Sequence, residues 1–146
     1  MLVNLIAVAI ATVIQQFVAM MYYGPIMGSQ FKKHFMKGKD PNPNFDFAGA
    51  FTRSVIGAFM ANLCMSYVMY NTPIGGKILH KELNVDSAFA VFAFGQLFTL
   101  LVAGMDLLHS GWLEQTIPMW LITQGYHILS FGTSAVVLHF ASNYFK

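Results

Sequence analysis

A chain of 146 residues in which 56% are hydrophobic and only 10% charged cannot clothe a water-facing surface, since soluble domains carry about a quarter charged residues. A formal net charge of +2 is too small for nucleic-acid binding, and a single cysteine, Cys64, excludes an internal disulfide.

Four stretches, 2–23, 54–70, 88–105 and 116–140, contain no Asp, Glu, Lys or Arg. Roughly 17–25 apolar residues in a helix cross a hydrocarbon core about 30 Å thick. The pattern predicts an all-α integral membrane four-helix bundle forming a single transmembrane domain over 1–146. Its spans are expected over residues 2–23, 48–70, 87–108 and 116–141. Span one has no basic segment before it and no A-x-A-type cleavage site, so it is expected to be retained rather than removed as a signal peptide. It closes at Tyr22-Tyr23-Gly24-Pro25, where paired tyrosines suit the bilayer interface and Gly-Pro is expected to break the helix.

A basic loop over 26–46 follows. Met27, Phe31 and Phe35 recur at i, i+4, i+8, while Lys32, Lys33 and Lys37 fall elsewhere. That spacing predicts a short amphipathic helix lying apolar face down on an anionic membrane surface. The long stem of Arg53 can snorkel to the headgroups. Lys32, Lys33, Lys37 and Arg53 are therefore the expected contacts to anionic phospholipids, cardiolipin among them. Span two carries Ala50, Ser54, Ala58, Asn62 and Ser66 at a four-residue interval, flanked by Gly57 and Ala61. Small residues let a neighbouring backbone approach, so this packing stripe is expected to put span two at the centre of the bundle.

Asn71-Thr72-Pro73 ends span two, and Gly75-Gly76 opens a polar loop with Lys77, His80, Lys81 and Glu82. Asp86 or Ser87 is the expected cap of span three. A short turn with His109, Trp112 and Glu114 leads to span four, which makes spans three and four antiparallel neighbours. Thr116 is the expected N-cap there, with Pro118 tolerated in the first turn. Around the first loop stand Lys32, Lys33, Lys37, Lys39 and Arg53, against Lys77, Lys81 and Lys146 opposite. That asymmetry places the first loop on the cytoplasmic or matrix side.

Each span carries an uncharged polar group near its midpoint: Gln15 and Gln16, Asn62, Gln96, and His127. On span four, Thr123, His127, Ser130 and Ser134 share one helical face. Polar groups in hydrocarbon need partners, so this mid-membrane belt reads in two ways. It is inter-helix bonding, or it is a small polar site for a quinone headgroup, a lipid or a metabolite. No carboxylate lies in the belt, which argues against a proton-coupled pump or a cation channel. His127 is alone at its level, His109 lies at one interface, and His139 is three turns away on the same helix; His34 and His80 lie in loops on opposite sides. Without an H-E-x-x-H pair or a second cysteine, neither haem, metal nor other cofactor is expected. Asp106 and Glu114, beside Trp112, read as solvated interfacial charge. No Gly-rich phosphate loop, G-x-S-x-G or Cys–His arrangement is present, so the chain is not expected to be an enzyme.

Two stretches resemble the DUF1761 family of small four-span membrane proteins of unknown function. The first is Val3-Asn4-Leu5-Ile6-Ala7-Val8 followed by Met21-Tyr22-Tyr23-Gly24-Pro25. The second is Trp112-Leu113-Glu114-Gln115-Thr116-Ile117-Pro118 with Leu121-Ile122 and Gly125-Tyr126-His127. The chain departs from the family pattern where a tryptophan is usual before Tyr23 (Tyr22 here) and after the following glycine (Phe31 or Phe35 here). The resemblance implies a four-helix bundle without an established activity, and it singles out Glu114, Tyr126 and His127. The missing catalytic groups point to an accessory subunit packed among other integral membrane subunits. A respiratory-chain or ATP-synthase assembly of the mitochondrial inner membrane is the expected host. The alternative is a stand-alone transporter or small-molecule or lipid-binding protein that uses the polar belt.

Overall fold

The structure, a computed structural model, describes residues 3–35, 46–73, 85–110 and 116–145. Helix α1 (Leu5–Met21) starts at Asn4, whose side-chain oxygen accepts the N–H groups of Ile6 and Ala7, each at 3.1 Å. Two of the four N–H groups that a helix start leaves unpaired are thereby satisfied. The Asn4 amide also donates to the Phe145 carbonyl at 3.0 Å, tying the start of the chain to the end of the last helix.

Gly24-Pro25 does not break span one, contrary to expectation. The helix runs on through a π-helical turn, Tyr22–Ile26, with Pro25 inside it. Proline offers no N–H, and in an α-turn its ring would strike the Met21 carbonyl. Widening the turn relieves that clash, and the Met27 N–H bonds the Tyr22 carbonyl at 2.7 Å instead.

Helix α2 (Gly28–His34) is the short helix expected after span one. Its apolar side turns at least partly toward protein rather than lipid. Phe31 sets its edge against Tyr23 at 5.2 Å and stacks on Phe35 at 4.6 Å, and α2 rests on the last helix. Lys32 and Lys33 are exposed; Lys37 and Lys39 lie outside the described residues.

Helix α3 (Phe47–Asn71) is capped by the Asp46 carboxylate, which accepts the Gly49 N–H at 2.8 Å. Helix α4 is Val85–Ser110, and helix α5 is Ile117–Tyr144. Thr116 occupies the N-cap position of α5 with Pro118 in the first turn, but its hydroxyl makes no capping bond. Four helical segments, Leu5–Ile26, Phe47–Asn71, Ser87–Leu107 and Ile117–Tyr144, are long and apolar enough to cross a membrane. The protein is a multi-pass, all-α membrane bundle.

Span two is not the centre of this bundle; α5 is. It packs against α1 on one side and α4 on another, while α3 lies chiefly on α1 and touches α5 lightly. Of the expected α3 stripe, Ala58, Asn62 and Ser66 are buried, Ala50 is half-buried and Ser54 is exposed. The stripe serves one neighbour, and Ile56, Met60 and Tyr67 on the rest of α3 are exposed. Glycines on the α4–α5 seam explain the choice of hub. A Cβ on Gly95 would overlap the Phe131 carbonyl oxygen, and one on Gly132 would overlap the Phe92 ring. Only glycine allows so close an approach. As expected, α4 and α5 are neighbours. One apolar core joins all four spans, with Ala7, Val8 and Ala11 against Met65, Met69, Val91, Phe131, Ala135 and Leu138.

Candidate functional site

The polar groups of the belt do not converge on one place. In the bundle interior, Asn62 donates to Gln15 Oε1 at 2.9 Å and to Thr12 Oγ1 at 3.3 Å, and Ser134 Oγ reaches Gln15 Oε1 at 3.5 Å. These four side chains are buried and link α1, α3 and α5. Gln16, one residue on, projects about 100° away around the helix and accepts from exposed Ser54 at 3.1 Å. Gln96 donates to the carbonyls of Phe92 (3.3 Å) and Ile128 (3.1 Å), bracing α4 on α5. Because α5 stands between α1 and α4, their polar groups meet different faces of it.

His127 belongs to a separate cluster, nearer the membrane boundary where α4 ends and α5 begins. Its Nε2 faces Asp106 Oδ2 at 3.6 Å, and Gln124 Nε2 donates to that same oxygen at 3.0 Å. Helix geometry brings the three together. Side chains tilt toward the N-terminus of their own helix, and α4 and α5 are antiparallel. Asp106 therefore leans inward along α4 as His127 leans outward along α5. The reading of Asp106 as solvated charge is corrected accordingly. Its side chain is 35% exposed and that of His127 17%, so the carboxylate is held by protein and still reachable. Glu114 and Trp112 lie outside the described residues.

Aromatic rings wall this cluster. Tyr126 packs at 5.2 Å from Tyr23 and 6.1 Å from Tyr22, and His127 stacks on Phe131 at 5.6 Å. The Tyr22 hydroxyl donates to the Ile122 carbonyl at 2.8 Å and occupies the space a Cβ on Gly125 would take. Thr99 donates to the His127 carbonyl at 3.2 Å and fixes the register of α4. Three atoms here have no hydrogen-bond partner among the described residues: Gln124 Oε1, His127 Nδ1 and Trp120 Nε1. No group of three or more His, Cys, Asp or Glu that could hold a metal occurs among the described residues.

The family model for DUF1761, described as a protein of unknown function, matches residues 6–139. The chain belongs to the DUF1761 family. No curated protein and no solved structure matches it. Both stretches that carry the DUF1761 resemblance contribute to this one place, Tyr22-Tyr23 from the end of span one and Gly125-Tyr126-His127 from span four. Sequence reasoning missed Gln124, Trp120 and the pairing of Asp106. A signal was present, because Trp120, Gln124 and His127 recur at i, i+4, i+7 on one face of α5. Exposed Lys32, Lys33 and Arg53 lie toward the same end of the bundle.

Proposed function

We propose that this protein binds a small polar group at the Asp106–Gln124–His127 cluster and does so without catalysis. An ionisable side chain within a span is costly and by default marks a function. The observation that carries the reading is Gln124. Only 7% exposed, it gives its amide N–H to Asp106 and keeps an unpartnered carbonyl beside a reachable carboxylate. This mostly buried amide pins a carboxylate that stays 35% exposed, and the carboxylate is the group an incoming molecule can reach. The exposed lysines of α2 and Arg53 fit anionic phospholipid headgroups at the same membrane surface.

The test is to purify the full chain in lipid nanodiscs and identify co-purifying small molecules by mass spectrometry. A molecule retained by the wild type and depleted in both Asp106→Asn and Gln124→Leu is expected. If neither substitution depletes anything while helix content and monodispersity are kept, the reading fails.

A second reading is an accessory subunit of a larger membrane assembly, the respiratory or ATP-synthase complexes of the mitochondrial inner membrane included. It is supported by Gly57 on α3 and Gly104 on α4, both exposed, where an added Cβ would meet nothing within 4 Å. Bare backbone on an outer face suits close approach by another helix. Native electrophoresis of solubilised membranes tests it. Co-migration with a large complex, reduced in Gly57→Leu or Gly104→Leu, supports this role; migration of the wild type as a monomer ends it.

A further inference from the structure

An apolar groove of about 300 Å³ runs along the seam between α1 and α5, on a different face of α5 from Gln124 and His127. Of its lining, Ile14 and Thr133 are half-buried, while Phe17, Met21, Ile26 and Leu129 are exposed. It is therefore a trough with standing walls, open sideways to lipid. From Ile14 to Ile26 it extends about 18 Å along the helix, a little over half of a hydrocarbon core about 30 Å thick. That is the depth of one leaflet, from the membrane boundary to near the midplane. An empty trough forfeits dispersion contacts on every wall, and a flexible hydrocarbon chain recovers them.

The outer end of the trough carries the charge that selects a headgroup. Ile26 closes the π-helical turn and lines the trough, and α2 begins two residues later at Gly28. Helix α2 is fixed in place there: Phe31 sets its edge against Tyr23 at 5.2 Å, Tyr23 packs on Tyr126 of α5 at 5.2 Å, and α2 rests on α5. Lys32 and Lys33 follow Phe31 by about 100° and 200° around the helix, which turns them off the protein, and both are exposed. They stand about one helical turn from the start of α2, and α2 carries no carboxylate. An apolar trough one leaflet deep with two lysines beside its mouth complements an anionic headgroup on a hydrocarbon chain.

We propose that the α1–α5 trough is a binding site for an anionic phospholipid, one acyl chain lying between Ile14 and Ile26 and the phosphate held by Lys32 and Lys33. The proposal extends the match between the α2 lysines and anionic headgroups from a surface to a site, and it does not depend on the Asp106 cluster.

The test uses the full chain in nanodiscs of mixed phosphatidylcholine and phosphatidylglycerol. Native mass spectrometry counts the lipids retained through graded delipidation. The wild type is expected to keep phosphatidylglycerol saturably, with a preference over phosphatidylcholine of about tenfold, since each lysine near an anionic group strengthens association severalfold. Lys32→Gln combined with Lys33→Gln should abolish that preference. Thr133→Phe, which fills the trough, should lower lipid retention several-fold with helix content unchanged. Arg53→Gln removes an exposed cation at the same end of the bundle, on a helix that does not line the trough, and should change nothing. Equal retention of both lipids by the wild type, a preference that survives in the lysine variant, or full retention in Thr133→Phe overturns the proposal. An equal loss in Arg53→Gln also overturns it and leaves a diffuse attraction of anionic headgroups to this surface. A protein retained in place of lipid and lost in Thr133→Phe overturns it too. Asp106→Asn is expected to leave lipid retention unchanged, so depletion of a small polar molecule in that variant is read separately from loss of the lipid in the others.

Discussion

Gly95→Ala tests whether α4 owes its place to a single bare stretch of backbone. The new Cβ would overlap the Phe131 carbonyl oxygen, and it would stand 2.8 Å from the Phe131 carbonyl carbon and 3.0 Å from Gly132 Cα. Non-bonded carbons rest at about 3.5–4.0 Å, so α4 must retreat from α5 by about 1 Å. Every atom in the way is backbone, and none can swing aside. Retreat strains the Gln96 bond to the Ile128 carbonyl and the Thr99 bond to the His127 carbonyl. Overpacking costs about 1–3 kcal/mol, and an inter-helix bond in a membrane protein averages about 0.6 kcal/mol. The expected loss is therefore about 2–4 kcal/mol. Reversible unfolding in mixed detergent micelles, followed by circular dichroism, measures it. Gly57→Ala is the control, since its Cβ meets nothing within 4 Å and alanine is the better helix former. A Gly95→Ala protein within about 0.5 kcal/mol of wild type, or an equal loss in Gly57→Ala, would falsify the close-approach argument; the first figure is a typical scatter for harmless substitutions.

Asn62→Leu removes the donor that Gln15 and Thr12 share, and the same unfolding assay should show a loss of about 1–2 kcal/mol. Adding Gln15→Leu should recover part of it, because the Gln15 carbonyl that the first change orphans is then gone; strict additivity would count against the network. Asn4→Ala deletes the cap of α1 and its tie to Phe145, at about 0.5–2 kcal/mol, with faster amide exchange at both chain ends. Gly125→Ala should destabilise the wild type and do so less in a Tyr22→Phe background, since the hydroxyl that blocks the Cβ is then gone. An equal cost in both backgrounds refutes that contact. His139 is 1% exposed, and neither ring nitrogen has a partner among the described residues. His139→Leu should leave stability unchanged or raise it, and a loss above about 1 kcal/mol, the worth of one hydrogen bond, would mean that those nitrogens are bonded in the native protein.

The four spans were legible because a missing charge over some twenty residues has one physical reading in a chain of this length. Which span lies at the centre was not. In lipid, a helix is apolar toward both its neighbours and its solvent, so apolar periodicity no longer marks the buried side. The α3 stripe and the small residues of α5 look alike in sequence. What separates them is Gly95 opposite Phe131 and Gly132, a coincidence between two helices that neither helix announces. Likewise Gln15 and Gln16 share a depth but not a face, and α5 keeps α1 and α4 apart, so equal depth did not make one site. Pro25 misled for a different reason. A proline ends an α-helix, but a π-turn absorbs it, and nothing in Tyr22-Tyr23-Gly24-Pro25 distinguishes the two outcomes.

Polar clusters occur in two settings in this protein, and access to a charged group separates them. Asn62 Oδ1, the hydroxyls of Ser66 and Ser130, and the ring of His139 belong to side chains at 0–1% exposure. No ligand of any size reaches them without opening the bundle; such atoms are the places where membrane and soluble proteins alike hold ordered water. Gln124 Oε1 and His127 Nδ1 are as closed to solvent as these, but the carboxylate beside them is 35% exposed. The same low dielectric that makes an orphaned acceptor costly strengthens whatever pairs with it. A carboxylate held by a buried amide and an imidazole, yet open on one side, can take a partner from outside. A cluster that is sealed, neutral and joined across three helices, as at Gln15, Asn62 and Ser134, completes itself. The first of these is where binding belongs, and the second holds the bundle around it.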